Sequence, residues 1–314
     1  MRKVTVLFVG AILLVLLGLS WWSNNLKPVN PRDNSEKMFV IAQGSGTRQI
    51  SRDLKKEGLI KDENVFFFYL RQGGFEKKIQ AGDFRLSPSM SADKIAKTLT
   101  EGSIDVWVTI PEGKRAEEVA EILEAKVASY EPSWEAELIK HEGRLFPDTY
   151  LVPRDSTIES IITLLTNTFE ARYETVTNKT SYSKNDVVTI ASLIEREARH
   201  DEDRPIISSV IHNRLDIGMA LQIDASIQYA KGYKGAWWKP VTLAEYKSVK
   251  SDYNTYLFAG LPPGPIANPG LEALQAAGSP ASTDYIYYIT DQNGINRYAK
   301  TLDQHEANKA KYGL

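Results

Sequence analysis

Cysteine is absent from all 314 positions, which excludes disulfides, thiolate metal sites, a cysteine nucleophile and lipid anchoring through sulfur. Histidine is almost as scarce. His141, His200, His212 and His305 stand far apart, and none belongs to the paired spacing of a zinc-binding helix, so no catalytic metal is expected. An excess of positive charge is missing too: 38 Lys and Arg face 40 Asp and Glu, a net of -2. That balance cannot neutralise a row of phosphates and argues against nucleic acid as a partner. Long uncharged apolar runs are also lacking, with one exception at the N-terminus.

What is present is a globular composition, 42% apolar and 25% charged, on a chain too long for one compact core. The exception is Val4–Trp22, a run of 19 residues without a charge, preceded by Arg2 and Lys3. About 20 apolar residues cross the hydrocarbon layer, so residues 1–22 are expected to form a cytoplasmic tip and a single transmembrane helix. Cleavage as a signal peptide is disfavoured by the Ser20-Trp21-Trp22 ending, which offers no small-x-small site. The positive flank then stays inside and everything beyond residue 22 faces outward, on the extracytoplasmic side of the cytoplasmic membrane.

Residues 23–37 carry two prolines and four asparagines, and read as a tether. From 38 to 101 the pattern is that of a small β/α module: a strand at FVIAQ, a glycine turn, and a helix with Ile50, Leu54 and Leu59 on one face. An aromatic helix over Val65–Leu70, a short strand at AGDFRLSP, and a helix capped by Ser91 that carries Ile95, Ala96 and Leu99 complete it. At an offset of 69 residues, VTIPEGKRAEEVAEIL echoes VIAQGSGTRQISRDL, pairing Gly44 with Gly113, Ile50 with Val119 and Leu54 with Leu123. Two copies are fewer than a solenoid needs, so 102–140 is expected to be a second strand-turn-helix unit leading into a domain that occupies 102–314.

Two short motifs carry no chemistry. Ser91-Ala-Asp-Lys94 has the S-x-x-K form of penicillin-recognising enzymes without their other elements, and Gly44-Ser-Gly46 lacks the rest of a dinucleotide fingerprint.

The helix expected over Asn185–Ala198 differs from these. With about 100° between successive side chains, Val187, Ile190, Ala191, Leu193, Ile194 and Ala198 form one apolar face. Glu197 falls inside that face, whereas Glu195 lies nearer its edge and is the secondary candidate. A carboxyl group among apolar neighbours loses hydration most in its charged form; its pKa rises and it is prepared as a general acid. The competing reading is an ion pair with Arg204 or Arg214. Beyond a helix that starts near Arg204 with Pro205 in its first turn, Met219–Asp224 is expected as a short strand that points Gln222 and Asp224 to one side, a pair suited to sugar hydroxyls. Tyr253-Asn254-Thr255-Tyr256 and the stretch 260–270, with four prolines and three glycines in eleven residues, must form an ordered loop, a common place for binding residues.

Together GRLFPDTY (143–150), ASLIEREA (191–198), DRP…NRLDIGMALQIDAS (203–226), YNTY (253–256) and GLPPGPIANPG (260–270) resemble the endolytic murein transglycosylase, or YceG-like, family. The resemblance implies an α+β protein: an N-terminal transmembrane helix, a LysM-like module and a mixed α+β catalytic domain. It also implies cleavage between N-acetylmuramic acid and N-acetylglucosamine inside nascent peptidoglycan strands, leaving 1,6-anhydro ends. Peptidoglycan strands and, through them, synthases of the elongation or division machinery are the implied partners; no metal or organic cofactor is. The second glutamate of the family's I-E-[KR]-E motif corresponds to Glu197. Gln222, Asp224, Tyr253, Asn254 and Asn268 are the expected substrate contacts. The family's pattern is broken where Ala225 replaces a proline and Asn296 a histidine. A muramidase that uses water and a non-catalytic wall-binding scaffold are the alternatives.

Overall fold

The computed structural model describes residues 2–42, 44–102, 105–153 and 156–313, with side chains from residue 13 onward except that of residue 101. The chain divides into two compact units, residues 1–106 with 151–155, and residues 107–150 with 156–314.

In the first unit, α1 (Arg2–Asn25) is followed by β1 (Lys37–Ile41), α2 (Thr47–Lys56), α3 (Glu63–Gln72), β2 (Gly82–Leu86) and α4 (Ala92–Glu101). The helices start where side chains can cap them: Asp62 accepts from the amides of Asn64 and Val65, and Ser91 from that of Lys94. β1 and β2 pair antiparallel with Phe39 opposite Phe84. Their inward residues meet Ile50, Leu54, Phe66, Leu70, Ile95 and Leu99 in one apolar core. Leu59 lies beyond the end of α2 rather than on it, in the turn whose amide bonds to the Leu54 carbonyl, and is buried all the same. The stretch read as a free tether is fastened to this unit. Leu26 packs on the core, its carbonyl accepts from Ala92, and Asn30 donates to the Pro88 carbonyl. Among the described residues no helix is long and apolar enough to cross a membrane. The span expected over 4–22 begins in residues whose side chains lie outside the description.

β3 (Asp105–Thr109) pairs with β4 (Thr149–Pro153). Between them stand α5 (Ala116–Lys126) and α6 (Trp134–Ile139). At the aligned positions Gly44 and Gly113 both adopt positive φ, 85° and 71°, and Ile50, Val119, Leu54 and Leu123 are all buried.

The rest of the second unit is mostly helical: α7 (Ile158–Tyr173), α8 (Lys184–Glu197), α9 (Arg204–Asp216), α10 (Asp224–Lys231), the short α11 (Glu245–Ser248), α12 (Leu271–Gly278) and α13 (Leu302–Tyr312). The hairpin of β5 (Tyr287–Thr290) and β6 (Asn296–Ala299) precedes α13. α8 runs through the middle of the core. Val187, Val188, Ile190, Ala191, Leu193 and Ile194 are at most 1% exposed, packed with Ile207 and Ile211 of α9 and Leu274 and Ala277 of α12. At roughly 1.5 kcal/mol or more per fully buried large aliphatic side chain, this contact fixes the helix more strongly than its intrinsic propensity does. A capping box sets its start, Ser183 and Asp186 exchanging side-chain and backbone hydrogen bonds. The strand expected over Met219–Asp224 is a loop instead: Gln222 sits at φ 51°, which no strand tolerates, and Asp224 already opens α10.

Candidate active site

α8 ends at Glu197, so this carboxyl stands where the core gives way to a cavity of about 640 Å³. Its walls come from distant segments: Glu197; Arg214 of α9; Gln222 and Asp224 of the following loop and α10; Tyr246 and Tyr256; Tyr288, Ile289 and Thr290 of β5; and His305 and Lys309 of α13. Tyr288 donates its hydroxyl to Glu197 Oε2 at 2.7 Å. Burial pushes the Glu197 pKa up, and the charge of Asp224 adds to the rise. The Tyr288 hydrogen bond, Arg196 and the Ala225 amide act in the opposite direction without reversing it. The helix terminus contributes in the same sense as burial, because its exposed carbonyls disfavour an anion. The result is a carboxyl group that retains its proton above the ordinary carboxylate range while opening onto a cavity.

Asp224 is the second acid in the cavity. It accepts from the Tyr256 hydroxyl at 2.6 Å, and the Tyr256 ring stacks on Tyr246 with centroids 4.0 Å apart. Gln222 is exposed there, held by its amide on the Thr255 carbonyl. The two residues expected side by side are thus both in the cavity, although a left-handed turn rather than a strand presents them.

The other expected contacts have different surroundings. Asn254 and Asn268 are fully buried. Asn254 gives its amide to the Tyr246 and Val249 carbonyls; Asn268 accepts from Leu145 and donates to Lys114 and Glu142. Both are used up in holding loops. Tyr253 packs on Tyr229, with ring centroids 4.8 Å apart, and does not line the Glu197 cavity. Glu195 is also committed elsewhere. It pairs with Arg204 at 3.3 Å and accepts from the Gly270 amide at the start of α12 at 2.9 Å, tying α8 to α9 and α12. The Arg204 partner weighed for Glu197 therefore belongs to its neighbour.

Sequence reasoning overlooked Tyr288, Tyr246, His305 and Lys309; it reached Tyr256 only as part of the 253–256 motif and Arg214 only as a possible ion-pair partner. The aromatic run Tyr285–Tyr288 was the available signal; nothing local shows that one of its rings would meet an acid 91 residues upstream.

Residues 39–311 match the YceG-like family. The chain belongs to that family. Relatives named endolytic murein transglycosylase include one from Bacillus subtilis, 33% identical over 91% of this chain and 88% of its own length, and one from Streptococcus pneumoniae, 29% identical over 94% of this chain. The chain spans 62% of the length of the streptococcal relative. A crystal structure of a YceG-like protein from Listeria monocytogenes, 31% identical, superimposes with a TM-score of 0.57, covering 88% of this chain and 99% of that one. In this YceG-like chain Asn296, at the position where a family histidine was expected, accepts from Thr290 Oγ1 at 2.7 Å and so acts on a residue of the cavity wall. Ala225, in place of a proline, is buried in the first turn of α10.

Proposed function

We propose that this chain is a membrane-anchored endolytic lytic transglycosylase that cleaves the bond between N-acetylmuramic acid and N-acetylglucosamine within peptidoglycan strands. The observation that carries this reading is Glu197: a carboxyl desolvated at the end of a core helix, hydrogen-bonded by Tyr288 and open to a cavity large enough for a sugar. Relatives bearing the name of that activity support the reaction class.

The reaction needs a proton on the glycosidic oxygen as positive charge develops at C1. Glu197 supplies it and is left as a carboxylate. That carboxylate then takes the proton of the same sugar's 6-hydroxyl as this oxygen closes on C1, which gives the 1,6-anhydro end and restores the acid. One residue serves twice because the nucleophile is already tethered to the reacting carbon. Gln222 and Asp224 are the groups for sugar hydroxyl and N-acetyl contacts; Tyr256 fixes the direction in which Asp224 points. The apolar run before the tether anchors the protein in the cytoplasmic membrane with its N-terminus inside. The module over 38–101 is LysM-like and spaces or grips the strand.

Glu197→Gln should keep the unfolding temperature of the parent and release no anhydro-muropeptides from purified glycan strands. Undiminished release would move the acid to Asp224 or Glu195. Asp224, a second carboxyl in the same cavity, favours one other reading, a muramidase that activates water. Its product is heavier by one water in the mass spectrum.

A further inference from the structure

The cavity around Glu197 has a second side that proton transfer does not use. Arg214, His305 and Lys309 all line it, from α9 and α13. The ring of Tyr287 joins two of them, stacked on the His305 imidazole at 5.2 Å and lying under the Arg214 guanidinium at 5.6 Å. Lys309 follows His305 by one helical turn. The Arg214 side chain is buried and anchored to the backbone, through Nε to the Ile286 carbonyl at 2.7 Å and through Nη1 to that of Leu221. Two of the five N–H donors of a guanidinium are thereby occupied. His305 Nδ1 is buried and has no hydrogen-bond partner among the described residues. Burial also pushes the imidazole pKa down. Lys309 pairs with the exposed Glu306 at 3.1 Å, a surface contact that a stronger anion can displace.

Against these stand two acids, Glu197 and Asp224. Each is held by a tyrosine, Glu197 by Tyr288 and Asp224 by Tyr256, and among the described residues no ion pair joins either acid to Arg214 or Lys309. A cavity built only for neutral sugars needs no basic side chains along its wall.

We propose that Arg214, His305 and Lys309 form a subsite for a carboxylate carried on the muramic acid next to the scissile bond, so that the enzyme selects strands by the charge of that substituent. This rests on the glycan-cleaving reading above. In such a strand the sugar rings are uncharged, and the negative groups sit on the lactyl side chain, either as its own free carboxylate or as those of the attached peptide. The guanidinium is the group suited to a planar carboxylate, with Lys309 adding a second basic group to the lining.

The test measures binding to the full chain carrying Glu197→Gln, so that turnover does not intervene. Three synthetic strands of equal length are compared: peptide-free with free lactyl carboxylates, peptide-bearing with free carboxylates, and peptide-bearing with every carboxylate amidated. At least one free-carboxylate strand should bind about tenfold tighter than the amidated strand, the scale of one charge-assisted hydrogen bond, and which one does so identifies the source. The advantage should shrink toward unity in Lys309→Gln and in His305→Phe, and in the parent as salt rises. Equal binding of all three strands, or a preference that both variants keep, overturns the subsite. Preferential binding by a protein whose unsubstituted form cleaves none of the strands would uphold the subsite while refuting the transglycosylase reading.

Discussion

A single carboxyl group is made unusual here by three kinds of neighbour: apolar side chains that strip its water, a phenol that donates to it, and a second acid that repels its ionised form. Tyr288→Phe separates these influences. The Tyr288 hydrogen bond favours ionised Glu197, so its loss should raise the Glu197 pKa further and move the alkaline limb of the kcat/KM profile to higher pH. The rate at neutral pH should fall by roughly tenfold as the acid loses its fixed orientation. A limb that stays put or moves to lower pH would contradict this. A second buried acid gives a contrasting prediction. Burial pushes Glu142 up to about 8 from 4.5, against the backbone amide hydrogen bonds of Ala116 and Gly143 and the charge of Arg115. The folded protein then keeps a proton that the unfolded chain releases, so stability should decline as pH rises from about 4.5 to about 8 and level off beyond. Glu142→Gln should flatten that part of the curve in urea titrations taken across the range. An identical slope in parent and variant would show that the proton is bound elsewhere.

Among the elements, the loop over 260–270 shows how the site is braced. Ser192 of α8 accepts from the Ile266 amide at 3.0 Å, Asn268 spans to residues 114, 142 and 145, and Pro265 leans on Gly143. Gly143 has φ 82°, and a Cβ there would lie 2.5 Å from Pro265 Cγ and 2.9 Å from Val188 Cγ1. Gly143→Ala should therefore cost about 2 to 5 kcal/mol, the sum of a left-handed penalty and overpacking. Gly218→Ala, at φ 67° with open space around it, should cost only about 1 to 2 kcal/mol. Equal losses in urea unfolding would remove the contact from the explanation. These braces also explain what could be read from the sequence. The run from Val187 to Ile194 declares a buried helix by its periodicity, and Glu197 stands out as the acid on its apolar face. Asn254 and Asn268 did not declare their role. A loop asparagine has the same letter whether it faces solvent or closes a backbone bond to a residue 123 positions away, as Asn268 does with Leu145. The same holds for Gln222, whose left-handed backbone depends on Thr255 rather than on its immediate neighbours.

For the whole molecule, the proposed anchoring makes a direct prediction. α1 has 24 residues, about 36 Å at about 1.5 Å per residue, and includes the 19 uncharged residues Val4–Trp22 on which that proposal rests. The full chain, expressed in a bacterium, should sediment with the membrane fraction and resist extraction by high salt and alkaline carbonate; a chain starting at residue 26 should be released. Release of the full chain by carbonate would reduce the helix to a peripheral element. One further consequence lies in the order in which the cavity is assembled. Tyr288, Thr290, His305 and Lys309 come from residues 287–312, whereas Glu197 and its helix are synthesised some ninety residues earlier. A growing polypeptide can bury α8 against α9 and α12 before β5, β6 and α13 have been made. The cavity wall is complete only when the closing hairpin and last helix arrive, so a chain interrupted before residue 287 would carry Glu197 without Tyr288, the phenol that donates to it.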